Sequence, residues 1–488
     1  EIPNSQFFLW HTYFNDVFEK GGFDIVIGNP PYLRIQGIMD ATPDVASSYS
    51  EKYKAATGSY DLYVCFAELA LSIMNNKGIV NFIMPVKWTN ASFGKGLRDL
   101  IAKQRAVSKI INFGAYQVFN ASTYTALQWL RLDSDKFLYK ELDRDLKTNS
   151  ELGQYLDSLC ENCMFEIDLK KMGKEPWVLT VGDVNLLLAK LDKQPRRASD
   201  IFEKIFQGLA TGKDDVYFLR DCVCEGGIVK GYSKMLDEVV ELEMDLCHPL
   251  LKGEDVHRFV DLQTHRFVVL PYKNSGDIVE LLPEQMLKDY YPKVYTYFKR
   301  CESVLRKREK GRFDIEGEWF QLSRKQGLAA ATQHKLLAPD ISMGGNFAFD
   351  EYGKFYQTAT IYGYIKKSGI KTSYKSLMGM LNSKLCWWFI QNTGAVMAGG
   401  FYRYKPAYMK PFPFPSEESL CLYDGRMESL VVSVLSKKKE NPQADTTSLE
   451  SQIDFLVYHL YGLTYDEVLI VDPNPPFTRE EYEAYKGE

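Results

Sequence analysis

One segment constrains this chain more than any other: Phe23-Asp24-Ile25-Val26-Ile27-Gly28, followed at once by Asn29-Pro30-Pro31-Tyr32. A short, mostly apolar run cut off by two prolines reads as a strand buried on both faces. Proline has no N–H and a fixed φ, so Pro30 and Pro31 end the strand and stiffen the loop beyond it. The loop presents three groups in a set order: the Asn29 amide, the Pro30 carbonyl and the flat ring of Tyr32. Strand ends on the carboxyl edge of an open α/β sheet line its ligand cleft, so this loop is the first candidate site.

The residues after it alternate helix and strand signals. Residues 61–75 carry Leu62, Cys65, Phe66, Leu69 and Ile73 at helical spacing, and Gly78 reads as that helix's cap. Strands are expected at 79–84, 107–113 and 126–132, with a helix at 93–103, which together imply a largely parallel sheet in an α/β domain occupying residues 1–135. Residues 136–195 read as a charged, mostly helical connector in which Leu187, Leu188 and Leu191 pack on a neighbour. Residues 196–415 are rich in aromatics, short strands and Gly-containing turns, and end at Pro411-Phe412-Pro413-Phe414-Pro415. Residues 416–488 read as helical, with Ile453, Leu456, Val457, Leu460 and Tyr461 on one stripe and Gly462 as its cap.

Several of these motifs have a known counterpart. The first 135 residues resemble the second half of the catalytic domain of γ-type DNA adenine methyltransferases, the TaqI type included. The likeness runs from the Phe23–Tyr32 segment through Asp61-Leu62-Tyr63, Phe66, Glu68, Gly78-Ile79-Val80, Ile83-Met84-Pro85 and Trp88 to Val118-Phe119. The Trp-His segment within residues 7–18 and the second domain resemble type IIG restriction–modification enzymes and phage-defence methyltransferases with a TaqI-like target-recognition domain. The matching pieces there are Gly208-Leu209-Ala210-Thr211-Gly212, Leu251-Lys252-Gly253-Glu254-Asp255, and Leu381-Asn382-Ser383 leading to Pro411-Phe412-Pro413. The resemblance implies a partial Rossmann-like sheet, an α+β target-recognition domain and C-terminal helices. It also implies transfer of a methyl group from S-adenosylmethionine to N6 of an adenine flipped out of double-stranded DNA. Asn29, Pro30, Pro31 and Tyr32 would be catalytic, Asn29 would also meet the cofactor, and Tyr32 and Phe119 would sandwich the base. An exocyclic amine is a poor nucleophile because its lone pair is delocalised into the ring. Two acceptors on its N–H bonds, the Asn29 oxygen and the Pro30 carbonyl, draw that lone pair towards the methyl group, so positioning and directed hydrogen bonding carry the catalysis.

One departure matters. Such enzymes bind the cofactor with a Gly-rich turn and an acidic residue in the first half of the sheet, and neither is found in the residues before Phe23. The chain is therefore expected to begin in the middle of its catalytic domain, with an incomplete cofactor pocket, which argues against activity in isolation. No Asp…Glu-x-Lys nuclease signature is recognisable either.

Candidate DNA contacts come from charge and aromatic patterning. Lys299–Arg312 holds seven basic and two acidic residues, including Arg306, Lys307, Arg308 and Arg312; a phosphate-binding stripe and a solvated helix face both fit. Arg403 and Lys405 lie in an aromatic-basic run. Lys213 closes a Gly-rich turn that reads equally as a phosphate cradle or as a plain turn. Lys87 and Trp88 follow the strand that ends at Pro85, where DNA contact and simple packing both fit.

Composition sets the remaining bounds. The net charge of −5 neither advertises nor excludes a nucleic-acid partner. No run of about 18 apolar residues occurs, so no membrane span is expected. Nine scattered cysteines read as reduced thiols and six dispersed histidines as structural, with no metal. The expectation is a bacterial, cytoplasmic, monomeric protein that methylates adenine within a restriction–modification or phage-defence system. A DNA-specificity fragment that binds without catalysing, and a protein-glutamine or RNA methyltransferase, are the alternatives.

Overall fold

The computed structural model describes residues 9–486 except 115, 120–123, 143–145, 178, 180–182, 276–277, 326 and 395. Apart from Ala398–Gly400, the chain divides between Gly182 and Asp183 into two compact units.

The first unit is built on one six-stranded sheet. Its strands are β1 (Phe23–Gly28), β2 (Met74–Met84), β3 (Lys109–Asn112), β4 (Ala126–Leu130), β5 (Lys136–Glu141) and β6 (Phe165–Asp168), in the order β1-β2-β4-β3-β5-β6. β1 runs parallel to β2 and β3 parallel to β5, while β4 is antiparallel to both β2 and β3. Four of the six strands therefore run the same way, as the strand–helix rhythm suggests, with β4 and β6 against them. Among the described residues the connection from β3 to β4 carries no crossover helix, so β4 returns in the opposite sense.

Other expectations are corrected. Residues 74–77 extend β2, and the preceding helix ends at Ile73. Gly78 is a strand residue at a close crossing, where an added Cβ would lie 2.7 Å from the Phe23 carbonyl oxygen. β1 is an edge strand, and it is covered on one face only: Ile25 is 68% exposed and Ile27 77%. Part of the stretch expected as a helical connector supplies β5 and β6 to this sheet. The core lies under helix Tyr63–Ile73 and helix Lys95–Gln104, with Val64, Leu71, Val80, Met84, Trp88, Leu97, Ile101 and Ile110 packed together.

The second unit has two cores. One lies between the strands Phe218–Glu225, Ile228–Ser233, Glu238–Glu243, Cys247–Leu251 and Phe267–Val269 and the helix Pro292–Arg306, whose Val294, Tyr297, Phe298, Cys301 and Leu305 face inward. The other joins a four-stranded sheet, Phe202–Gln207 with Lys335–Pro339, Ala348–Asp350 and Ile361–Lys366, to helices Tyr374–Asn382, Lys384–Thr393, Glu417–Glu440 and Thr447–Leu460. Leu456, Val457 and Tyr461 enter that core from the expected C-terminal stripe, and Gly462 (φ 63°) ends the helix.

A buried carboxyl secures this second core. Asp454 accepts a hydrogen bond from the Lys384 N–H (2.8 Å) at the start of helix Lys384–Thr393. Burial pushes its pKa up to about 7, against the opposing pull of that N–H, Arg258 and Lys384. The folded chain thus holds a proton, between roughly pH 4 and 7, that the unfolded chain releases, and stability falls as pH rises through that window. Asp454→Asn keeps the acceptor and removes the titration. Urea midpoints are expected to coincide near pH 4 and to favour the variant above pH 7, by about 1 kcal/mol or more.

Candidate active site

The β1–β2 register fixes the site. Gly28 lies opposite Phe82, so the chain leaves the sheet beside Ile83. The Tyr32 hydroxyl donates to the Ile83 carbonyl (2.7 Å), and the ring stands edge-on to buried Tyr63, with centroids 6.4 Å apart. Half-burial pushes the Tyr32 phenol up to about 12, so it is a neutral donor at physiological pH. Asn29 is exposed and Pro30 buried. Among the described residues, neither the Asn29 side chain nor the Pro30 carbonyl has a hydrogen-bond partner. Two acceptors at the end of a strand are thereby left without a partner among the described residues.

The other loops of this edge follow from topology. β1, β2 and β3 end here and β4 begins here, so residues 85–95 and 113–125 border the same edge as the Asn29–Tyr32 loop. Phe119 belongs to the second of these loops and is 37% exposed. Asn149 supports that loop, donating to the Val118 carbonyl and accepting from the Tyr116 hydroxyl (3.2 and 2.8 Å). Lys87 is exposed in the first. Trp88 is not: it is fully buried, its indole N–H donates to Gln128 Oε1 (2.9 Å), and its ring packs on Trp177. It anchors the loop and offers DNA no surface. The Gln128 amide in turn donates to the Met84 carbonyl (2.9 Å). Arg98, also buried, donates to the carbonyls of Trp88 (2.6 Å), Ala91 (2.7 Å) and Lys174 (2.9 Å). Sequence reasoning missed Gln128 and Arg98. The signal for Gln128 was a lone amide in the apolar strand Ala126-Leu127-Gln128-Trp129-Leu130.

Several expected DNA contacts in the second unit are structural. Arg308 is buried, and its guanidinium donates to the carbonyls of Leu305, Thr211, Trp319 and Gln321 at 2.7–3.0 Å. Arg306 is enclosed by Glu302, Asp314 and Glu316. Arg403 grips the Asp340 carboxylate through both Nε (3.1 Å) and Nη2. Lys405 is half-buried, with its ammonium 4.8 Å from the Tyr408 ring centroid. The turn before Lys213 is no phosphate cradle. The N–H groups of Gly208 and Leu209 donate to the carbonyls of Ile361 and Gln357, and that of Lys213 to Thr211 Oγ1. An added Cβ at Gly208 would lie 2.2 Å from the Gln357 carbonyl oxygen, so glycine serves a backbone crossing. Lys213 sits 3.9 Å from Asp215, while Lys307 and Arg312 remain exposed, the latter beside Glu309 (3.1 Å). A cleft of about 370 Å3 in this unit, lined by Asp245, His248, Tyr272, Asn274 and Lys354 among others, includes none of the expected site residues. Among the described residues no three His, Cys, Asp or Glu side chains gather as a metal site requires.

Replacing Arg98 with Met is expected to strand the two buried carbonyls of Trp88 and Ala91, free the part-buried one of Lys174, and cost about 3 kcal/mol in denaturant unfolding of the first unit. Faster amide exchange over residues 86–94 should accompany it.

Comparisons with known proteins show which families these segments resemble. Residues 2–119 match the family described as Eco57I restriction-modification methylase, and residues 248–414 match the TaqI-like C-terminal specificity domain. The type II restriction enzyme and methyltransferase RM.Eco57I of Escherichia coli is 25% identical over 434 residues, covering 86% of this chain and 42% of its own length. The type II methyltransferase M.BstVI of Geobacillus stearothermophilus is 24% identical over 487 residues, 96% of this chain and 78% of its own. The chain thus spans less than half of one of these relatives and about three quarters of the other. Among solved structures, the type IIL restriction-modification enzyme MmeI in complex with DNA shares the fold, with a TM-score of 0.58 at 13% identity over 99% of this chain and 60% of that one. One chain therefore carries an Eco57I-type restriction-modification methylase segment and a TaqI-like specificity domain, and its relatives are type II restriction-modification methyltransferases.

Proposed function

We propose that this chain holds and methylates adenine at N6 within a specific DNA sequence, using S-adenosylmethionine, as part of a restriction–modification or phage-defence enzyme. The observation that carries the reading is the pair of partnerless acceptors, Asn29 Oδ1 and the Pro30 carbonyl, beside the Tyr32 ring at the carboxyl end of β1. A 6-amino group donating to both would be pulled towards a tetrahedral geometry with its lone pair aimed away from the loop. Tyr32, fixed by its bond to Ile83, offers one face for stacking, and Phe119 from the 113–125 loop offers the other. Thymine has no exocyclic amine to give to two acceptors. Cytosine has one, and the choice of adenine over it rests on the likeness of the loop sequence to adenine methyltransferases.

The cofactor supplies an electrophilic methyl group when bound. This chain's residues fit one side of it: exposed Asn29 at the strand end and the uncovered edge of β1, where Ile25 and Ile27 lie open. They do not form the adenosine side, because the residues before β1 hold no glycine turn with a ribose-binding acid. The same exposed edge favours a second reading, in which these residues alone bind and present DNA without transferring a methyl group.

The test is expression of the protein carrying this chain in a host lacking adenine methylation, followed by base-resolved sequencing of host DNA. N6-methyladenine at one recurring site is expected. Asn29→Ala should lower the methylation rate by about 10²–10³-fold, while DNA affinity changes by no more than about twofold. A mark on cytosine, or full activity of the Asn29 variant, would overturn the proposal.

A further inference from the structure

The chain leaving the catalytic loop is pinned by a second pairing. The Leu62 N–H donates to the Leu33 carbonyl and the Ile35 N–H to the Tyr60 carbonyl, both at 2.9 Å, so Arg34 and Asp61 face each other across a short antiparallel bridge. Residues directly opposite in such a pair project on the same side. The Arg34 side chain is 77% exposed and the Asp61 side chain 21%, and Nε lies 4.0 Å from Oδ1. That separation is too long for a hydrogen bond. Among the described residues the Arg34 guanidinium makes no hydrogen bond at all.

Six other arginines are matched by carboxylates, whereas among the described residues Arg131, Arg220 and Arg324 share with Arg34 the lack of a carboxylate hydrogen bond; Arg34 differs from those three in sitting beside the Asn29–Tyr32 loop and opposite Asp61. Arg105, Arg196, Arg197, Arg266, Arg306 and Arg403 are each hydrogen-bonded to at least one carboxylate. Arg34 is instead held in place by charge alone while its donor fork points to solvent, two residues past Tyr32. Asp61 has a further cation beside it: burial raises its pKa, and Arg34 and Lys87 pull it back down. A fork of N–H donors with its charge only loosely matched suits a bidentate oxyanion.

We propose that Arg34 binds the backbone phosphate next to the flipped nucleotide, with Asp61 aiming the guanidinium. This rests on the proposed role of the Asn29–Tyr32 loop in holding a nucleobase. A base drawn into that loop carries its own phosphates to the rim, where the only oxyanions it brings are phosphodiester oxygens. The cofactor's carboxylate is also an oxyanion and is separated from DNA by the test.

The experiment measures binding of two short duplexes to the full chain over a series of KCl concentrations without cofactor, and titrates S-adenosylmethionine separately into wild type and each variant. One duplex carries a single unpaired adenine and the other an abasic residue in its place. Wild type is expected to prefer the adenine. Arg34→Gln should weaken both complexes about five- to tenfold and reduce the slope of log K against log [salt] by about 0.9. Arg34→Lys, which keeps the charge, should restore most of that slope. An unchanged slope in Arg34→Gln overturns the phosphate assignment even where the adenine preference stands. Loss of S-adenosylmethionine binding in that variant with DNA binding intact overturns it in favour of the cofactor's carboxylate. Loss of the adenine preference in wild type overturns the base-holding reading alone, and the salt slope still decides the role of Arg34. No DNA binding by wild type overturns both.

Discussion

The parallel pairing of β1 with β2 is the constraint on which the candidate site depends. With Gly28 opposite Phe82, the loop emerges beside Ile83, whose carbonyl is the one that receives the Tyr32 hydroxyl. A slip of one residue would turn every β1 side chain to the other face and move that acceptor out of reach. The hydroxyl bond then orients the ring, and the proline pair keeps Asn29 and Pro30 in a fixed relation to it. Rigid support of this kind matters because the proposed chemistry uses no strong acid or base. Two acceptors must meet two N–H bonds in the right directions, and a displacement of about 1 Å can cost a hundredfold in rate.

The same demand for rigidity explains the buried polar residues behind the loops. Residues 85–95 leave the sheet at its carboxyl edge and would strand several carbonyls. Arg98 takes three, those of Trp88 and Ala91 among them, and Gln128 takes that of Met84, while Trp88 fills the space between. Gly94 belongs to this arrangement, since a Cβ there would lie 1.9 Å from the Trp88 carbonyl oxygen. A charged side chain devoted to backbone carbonyls is costly to desolvate, and burial does lower the Arg98 pKa. The gain is a loop with a single conformation at the place where a ligand must be met.

How far the sequence could be read depended on the range of the interaction involved. Strand β1, its loop and helix Tyr63–Ile73 were legible because apolar periodicity and proline chemistry are local. The extension of β2 through Met74–Lys77 was not, since polar Asn75, Asn76 and Lys77 read as a turn, and only Met74 opposite Phe23, across an irregularity from Ile79 opposite Ile25, marks them as strand. The exposure of Ile25 and Ile27 was illegible for the same reason: a strand's neighbours, not its composition, decide which face is covered. Basic residues were the hardest. The partner of Arg403 is Asp340, 63 residues away, and the carbonyls that consume Arg308 include that of Thr211, 97 residues away. Arg34 shows the converse. Nothing in Tyr32-Leu33-Arg34 distinguishes it from other surface arginines until the bridge to Asp61 reveals how weakly it is matched.

These pairings also bear on the proposed DNA partner of a chain of net charge −5. In the stretch 299–312 five of the seven basic residues are already committed: Lys299 to Glu302, Arg300 to Glu238, Arg306 to three carboxylates, Arg308 to backbone carbonyls and Arg312 to Glu309. Counterion release depends only on cations that remain free to displace ions from phosphates. In the proposed reading Arg34 is such a group, and a shallow salt dependence follows in which each contact is a large share of the whole. Sequence preference would then rest on groove contacts made by the specificity unit more than on bulk attraction. That division follows from where the fold places its charges: the committed cations of the second unit build its shape, while Arg34, beside the Asn29–Tyr32 loop, keeps its guanidinium without a hydrogen bond among the described residues.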